Sequence, residues 1–220
     1  MPLQPRRRTD GQRRRDEILD AALRCFSQNG LLSVGIEDIR REAQASPSSV
    51  YNLFADLDAI RLALLIRVFD ALLAHIADRV CRTRSAQRAV HALVDAHIEW
   101  IAGHPQQGRF MYQAMTLEGG GLSPAALQQL VAAKALALQP IVDHLQRFIL
   151  RGELPAWSPA LLDVVLLGAA HEALRRFLAG AIEFDPAALR RLLPKLAWHS
   201  LSARGAVRPV RSRRAPRSRA

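Results

Sequence analysis

The sequence predicts an all-α protein in two parts: a small N-terminal unit of three helices containing a helix-turn-helix, joined by a long helix to a larger C-terminal helical part. Three observations predict it. Apolar residues recur at three- and four-residue spacing along most of the chain, and β-branched residues rarely alternate. Ala, Leu, Arg and Gln, all good helix formers, prevail. Pro and Gly punctuate the chain at helix-length intervals. With 220 residues, 50% of them hydrophobic, the chain can bury the core of one domain or two small ones.

A first helix over 13–28 aligns Ile18, Ala22, Cys25 and Phe26, and Asn29-Gly30 ends it with a left-handed cap. A second over 36–43 aligns Ile36, Ile39 and Ala43. Its first turn carries Glu37 and Asp38, where the helix dipole favours acids. After the turn Gln44-Ala45, Ser46 is a suitable N-cap and Pro47 a suitable first helical residue for a third helix ending near Phe54. Asp56 or Asp58 caps a fourth helix running to about 82, with Ile60, Leu64, Val68, Leu72 and Ile76 on one side. A polar break at 83–87 follows. Further helices are predicted over 86–102, 105–117, 124–151 (kinked at Pro140), 159–179 and 186–203 (with an irregularity at Pro194). Between them lie the Gly-rich loop 118–124 and the break 152–155.

The segment ASPSSVYNLF, residues 45–54, is uncharged and lies between charged stretches. A helix with small, uncharged residues at its start lets its backbone approach the DNA major groove, where base edges are read by its N-terminal residues. Val50 and Phe54, four apart, would face inward. Ser46, Pro47, Ser48, Ser49, Tyr51 and Asn52 would face outward, with Tyr51 donating to a phosphate. An ordinary helical hairpin would show the same spacing.

Over residues 13–65 the chain resembles the N-terminal domain of the TetR/AcrR family of transcriptional regulators. The resemblance rests on Ile18-Leu19-Asp20-Ala21-Ala22, Phe26, Asn29-Gly30, Ile39, Ala43, Ser46, Val50-Tyr51-Asn52-Leu53-Phe54 and Asp58-Ala59-Ile60, all in one register. It departs from the family pattern at Arg40 (usually Ala), Gln44 (usually Gly), Ala45 (usually Val), Leu53 (usually His) and Leu57 (usually a phosphate-gripping Lys). Arg40, Arg41 and the basic front segment, including Arg13, Arg14 and Arg15, are candidates to replace that grip. The resemblance implies a helix-turn-helix DNA-binding domain over 13–73 and an effector-binding and dimerisation domain over 74–203. It implies a homodimer on a palindromic operator, most simply a repressor released by a small hydrophobic or amphipathic molecule. A regulator controlled by a partner protein, or a constitutive one, fits the same residues.

Candidate effector contacts are Trp100, His104, Arg109, Phe110, Tyr112, Gln113, Met115, His144 and His171, with Arg109 suited to an anionic group. The candidate dimer stripe is Leu162, Val165, Leu166, Ala169, Ala173 and Phe177 on the eighth helix and Leu189, Leu192, Leu193 and Leu196 on the ninth. Such stripes also serve as intrachain core.

The net charge of +11 is concentrated at the ends. Arg6, Arg7, Arg8 and Arg13–Arg15 precede the first helix body, and seven more Arg follow residue 203, whereas residues 13–82 hold ten basic and ten acidic side chains. A disordered basic arm at 1–12 and a tail at 204–220 are therefore expected to seek polyanions. Only Lys134 and Lys195 are lysines; the Arg, Ala and Leu bias suits a GC-rich bacterial genome.

Cys25 and Cys81 suggest neither a disulfide frame nor a metal knuckle, which fits a reducing cytoplasm. No apolar run reads as a membrane span. No G-x-S-x-G, Walker loop, H-E-x-x-H or paired Cys points to an enzyme. No metal or cofactor is expected. An all-α enzyme remains as a remote alternative.

Overall fold

The computed structural model describes residues 10–117, 121–181 and 185–202. The basic segments at 1–9 and 203–220, residues 118–120 of the Gly-rich loop and residues 182–184 lie outside the described residues. Among the described residues the chain forms helices and no strand. In order these are α1 (Asp10–Asn29), α2 (Ile36–Glu42), α3 (Pro47–Tyr51), α4 (Leu57–Val80), α5 (Ala86–Gly103), α6 (Pro105–Thr116), α7 (Pro124–Leu150), α8 (Pro159–Leu178) and α9 (Pro186–Ser202).

Helix starts follow the capping chemistry. The side chains of Ser46, Asp56, Ser85, Ser123 and Ser158 each accept a backbone N–H from the first turn of α3, α4, α5, α7 and α8. Pro occupies the first turn of α3, α6, α7 and α8, where a missing N–H costs nothing. Gly30 ends α1 with φ 85° and donates its N–H to the Phe26 carbonyl. Two helix ends differ from expectation by three residues. α1 starts three residues earlier, at Asp10, whose carboxylate suits the positive helix end, so residues 10–12 belong to it rather than to the arm. α3 ends at Tyr51, and residues 52–53 turn the chain to deliver Phe54 into the core. Pro140 and Pro194 lie inside α7 and α9.

The small head is built from α1, α2, α3 and the start of α4. Ile18, Phe26, Ile39, Val50, Phe54 and Ile60 form its buried centre. In the larger body α5 packs against α4 and α9, and α4 also lies along α7. α6 touches α1 on one side and α8 on the other. α4 crosses from head to body without a break, and its buried residues run from Ile60 to Val80. α7, by length and composition, is apolar enough to cross a membrane, which corrects the expectation for that helix. In this fold its inner side packs on α4, while Val131 and Leu136 are exposed.

Candidate nucleic-acid interface and internal cavity

The turn between α2 and α3 presents the short third helix. Gln44 sits in the left-handed region at φ 48°, and its carbonyl accepts the Arg14 guanidinium at 3.0 Å. Arg40 donates to the next carbonyl, Ala45, at 3.2 Å. These two arginines, expected at the phosphates, thus also brace the turn that aims α3.

Behind α3, Val50 is 1% and Phe54 3% exposed, and the Arg15 guanidinium lies 5.0 Å over the Phe54 ring. In front, Ser46, Pro47, Ser48, Tyr51 and Asn52 are exposed and Ser49 half-buried. The Ser49 N–H donates to Ser46 Oγ at 3.2 Å, and the Ser46 hydroxyl also hydrogen-bonds the hydroxyls of Ser48 and Ser49. The outward face is therefore narrow, polar and uncharged. The flanking arginines are paired internally: Arg13 with Asp10 and Glu17, Arg14 with Glu17, Arg40 with Glu37, Arg41 with Asp38. Such exposed pairs hold their partners by about 1 kcal/mol or less, so a phosphate can displace them. Leu57 opens α4 half-buried, packed on the head's core.

A second feature lies in the body. α4, α5, α6, α7 and α8 enclose a cavity of about 380 Å³. Its wall is mainly aliphatic and aromatic: Phe69, Leu72 and Ile76 from α4, Met111 from α6, Ile141 and Leu145 from α7, Leu166 from α8. Lys134, Asp163, His97 and His171 supply polarity. Tyr112 OH lies 3.3 Å from His97 Nε2 and 3.1 Å from His171 Nδ1. Burial drives His97 down to about 3, with His171 adding to the effect, so the ring is neutral at pH 7. Burial also lowers His171 and raises the Tyr112 hydroxyl. Lys134 Nζ sits 4.2 Å over the Phe69 ring, and burial lowers its pKa against the opposing pull of Asp163.

Of the nine effector candidates from the sequence, Met115 and His171 line this cavity. Tyr112 stands behind His171. The others lie elsewhere. Trp100 stacks on His104, whose Nδ1 donates to the Trp100 carbonyl. Arg109 donates to the Leu178 carbonyl, tying α6 to α8. Phe110 is fully buried against Phe26. Gln113 has a buried Oε1 without a hydrogen-bond partner, and His144 meets Thr83. None of the nine candidates lies among the α4 and α7 residues that line the cavity. An available signal was Lys134, one of two lysines and the lone charge in the apolar stretch 124–142.

The dimer stripe also divides. Leu162, Leu166, Leu189 and Leu193 are buried within the chain, while Leu192 and Leu196 are about half exposed, as are Leu161 and Val164 beside them. Val165, Ala173 and Phe177 are half-buried and Ala169 exposed.

Residues 18–64 match the family model for bacterial regulatory proteins of the tetR family. The transcriptional regulator HbdR of Aromatoleum is 34% identical over 95 residues, and the chain spans about two fifths of its length (39% of this chain, 40% of HbdR). A helix-turn-helix transcriptional regulator of Mycobacterium tuberculosis, itself uncharacterized, is 31% identical over 160 residues, 70% of this chain and 69% of that one. The chain belongs to the TetR family of DNA-binding transcriptional regulators. The TetR match covers α1 to the first part of α4, the stretch that holds the turn and the third helix. The body follows the fold of solved TetR-type proteins. The Bacillus subtilis regulator FadR, solved with stearoyl-CoA, superposes with a TM-score of 0.68 at 18% identity, over 84% of this chain and 98% of FadR.

Proposed function

We propose that the protein is a repressor that binds a palindromic operator as a homodimer, reads it with α3, and is released when a small apolar or amphipathic effector enters the cavity. The carrying observation is the narrow uncharged face of α3, backed by buried Val50 and Phe54 and held by Arg14 and Arg40 at the turn. On this reading residues 13–73 form the DNA-binding domain and 74–203 the effector and dimerisation domain. The partner copy packs on the outward apolar residues of α8 and α9, Leu161, Val164, Leu192 and Leu196, which are exposed in the single chain. The site of action is the cytoplasm, on DNA.

Release follows from two helices that touch both regions. α4 carries Ile60 and Leu64 in the head and Phe69, Leu72 and Ile76 at the cavity. α6 sets Met111 in the cavity wall and stacks Phe110 on Phe26 of α1. A ligand that prefers one spacing of these helices shifts the separation of the two recognition helices across the dimer.

The test is a gel-shift and anisotropy titration with duplex fragments flanking the protein's own gene. Wild-type protein should retard a specific fragment with two chains per site. Tyr51→Phe should weaken binding by about tenfold without lowering the melting temperature, because the exposed hydroxyl serves a phosphate rather than the fold. Absence of retardation at low ionic strength overturns the reading.

A further inference from the structure

The cavity wall contains one half-buried positive charge, Lys134, that meets no ion-pair partner among the described residues. Lys134 rises from α7 into an aliphatic enclosure, and its ammonium rests on the face of Phe69. Asp163 acts on it through space, yet among the described residues no carboxylate pairs with it at ion-pair distance. The two charges are not equal. Asp163 belongs to an exposed residue and keeps its water, while Lys134 is largely enclosed. An incoming charge gains most against the poorly solvated partner, because attraction grows as the local dielectric falls.

Beside Lys134 stands an ordered hydrogen-bond chain. Tyr112 has one proton to donate and bonds both His97 Nε2 and His171 Nδ1. If Tyr112 donates to His171 Nδ1, its oxygen accepts from His97 Nε2–H, and the proton of His171 then sits on Nε2. That ring nitrogen is the one Tyr112 leaves unused, on a side chain that lines the cavity. A neutral His171 in this tautomer is a donor to an acceptor-only group.

A cavity of about 380 Å³ is of the size that takes a small molecule.

We propose that the effector is a small apolar molecule carrying one carboxylate, which pairs with Lys134 Nζ and accepts a hydrogen bond from His171 Nε2. This rests on the cavity being the effector site. Arg109, the sequence candidate for an anion, takes no part, since its guanidinium is committed to the Leu178 carbonyl.

Calorimetric titration of the full chain at pH 7.5 tests it with four ten-carbon probes, each below its micelle concentration: decanoate, decanol, decyltrimethylammonium and decanoyl-coenzyme A. Decanoate should bind at least about tenfold tighter than decanol, and the cation should not bind. Lys134→Met should remove that preference while decanol still binds, which shows that the variant is folded. Asp163→Asn should tighten decanoate by removing a like charge. Preference for the cation, equal binding of alcohol and acid, binding of the thioester alone, or an unchanged preference in Lys134→Met overturns the carboxylate assignment and leaves the effector cavity standing. If none of the four binds, the effector reading of the cavity falls with it.

Discussion

Phe110 of α6 stacks on Phe26 of α1, ring centroids 5.5 Å apart and planes at 21°, with both side chains fully buried. The pair is the apolar bolt between body and head, and the guanidinium of Arg61, on α4, lies 6.0 Å from the Phe26 centroid. Arg61 also donates to the carbonyls of Leu31 in the head and Gly121 beside α7. Phe110→Ala should cost about 3–5 kcal/mol in urea unfolding, the range for emptying a packed aromatic site. Phe110→Leu, a milder change, should leave DNA binding and cavity binding each intact while shrinking the factor by which one weakens the other.

Gln44→Gly should stabilise the protein. A non-glycine residue at φ 48° bears a steric cost of about 1–2 kcal/mol, and glycine removes it while adding freedom to the unfolded chain. The net gain should be about 0.5–1 kcal/mol, read as a raised urea midpoint with an unchanged slope. The carbonyl that Arg14 grips is backbone, so the brace survives the substitution.

That turn also shows what could be read before the fold was known. The helix starts were legible because they are local: Ser46-Pro47, Ser123-Pro124 and Ser158-Pro159 each specify a cap within four residues. The third helix and its outward serines were legible for the same reason. The cavity was not, because a void depends on which faces of five helices converge. Phe110 and Trp100 looked like pocket residues by type, yet they point into packed contacts, and the aliphatic faces of α4 and α7 became the wall. Leu162 and Leu192 shared one expected dimer stripe, but the first is buried within the chain and the second is exposed.

Stability should fall with mild acid. His97 is held neutral by burial, its pKa lowered from 6.5 to about 3. Below pH 6.5 the unfolded chain takes up a proton there that the folded chain refuses, so stability present above that pH is lost as pH falls toward 3. From pH 7.5 to 5.5 this one group should remove about 1.4 kcal/mol. His91, His144 and His171 are lowered by burial too and add in the same direction. Glu99, lowered chiefly by its bond to Arg79, loses its contribution only at more acid pH. Urea unfolding at the two pH values checks this, and His97→Gln should flatten the loss by about one proton's worth.

The grip on DNA should come mostly from the front arm. Within the head, Arg13, Arg14, Arg40 and Arg41 are paired with carboxylates, Arg14 and Arg40 also brace the turn, and Arg15 covers Phe54. Residues 13–82 carry no net charge, and the family's phosphate-gripping Lys is replaced by Leu57. Opening those pairs costs part of what each head arginine gains at a phosphate, so Arg6, Arg7 and Arg8 should supply most of the counterion release. Deleting residues 1–9 leaves every described helix intact and removes all three. Each phosphate contact contributes about 0.9 to the slope of log affinity against log salt, so loss of three arginines from both chains of a dimer should flatten it by up to about 5. Affinity at moderate salt should fall by orders of magnitude, with no change in the melting temperature. A truncated protein that binds its operator with the wild-type slope would place the cations within the head itself, and the carboxylate pairs described above would then have to open on contact with DNA.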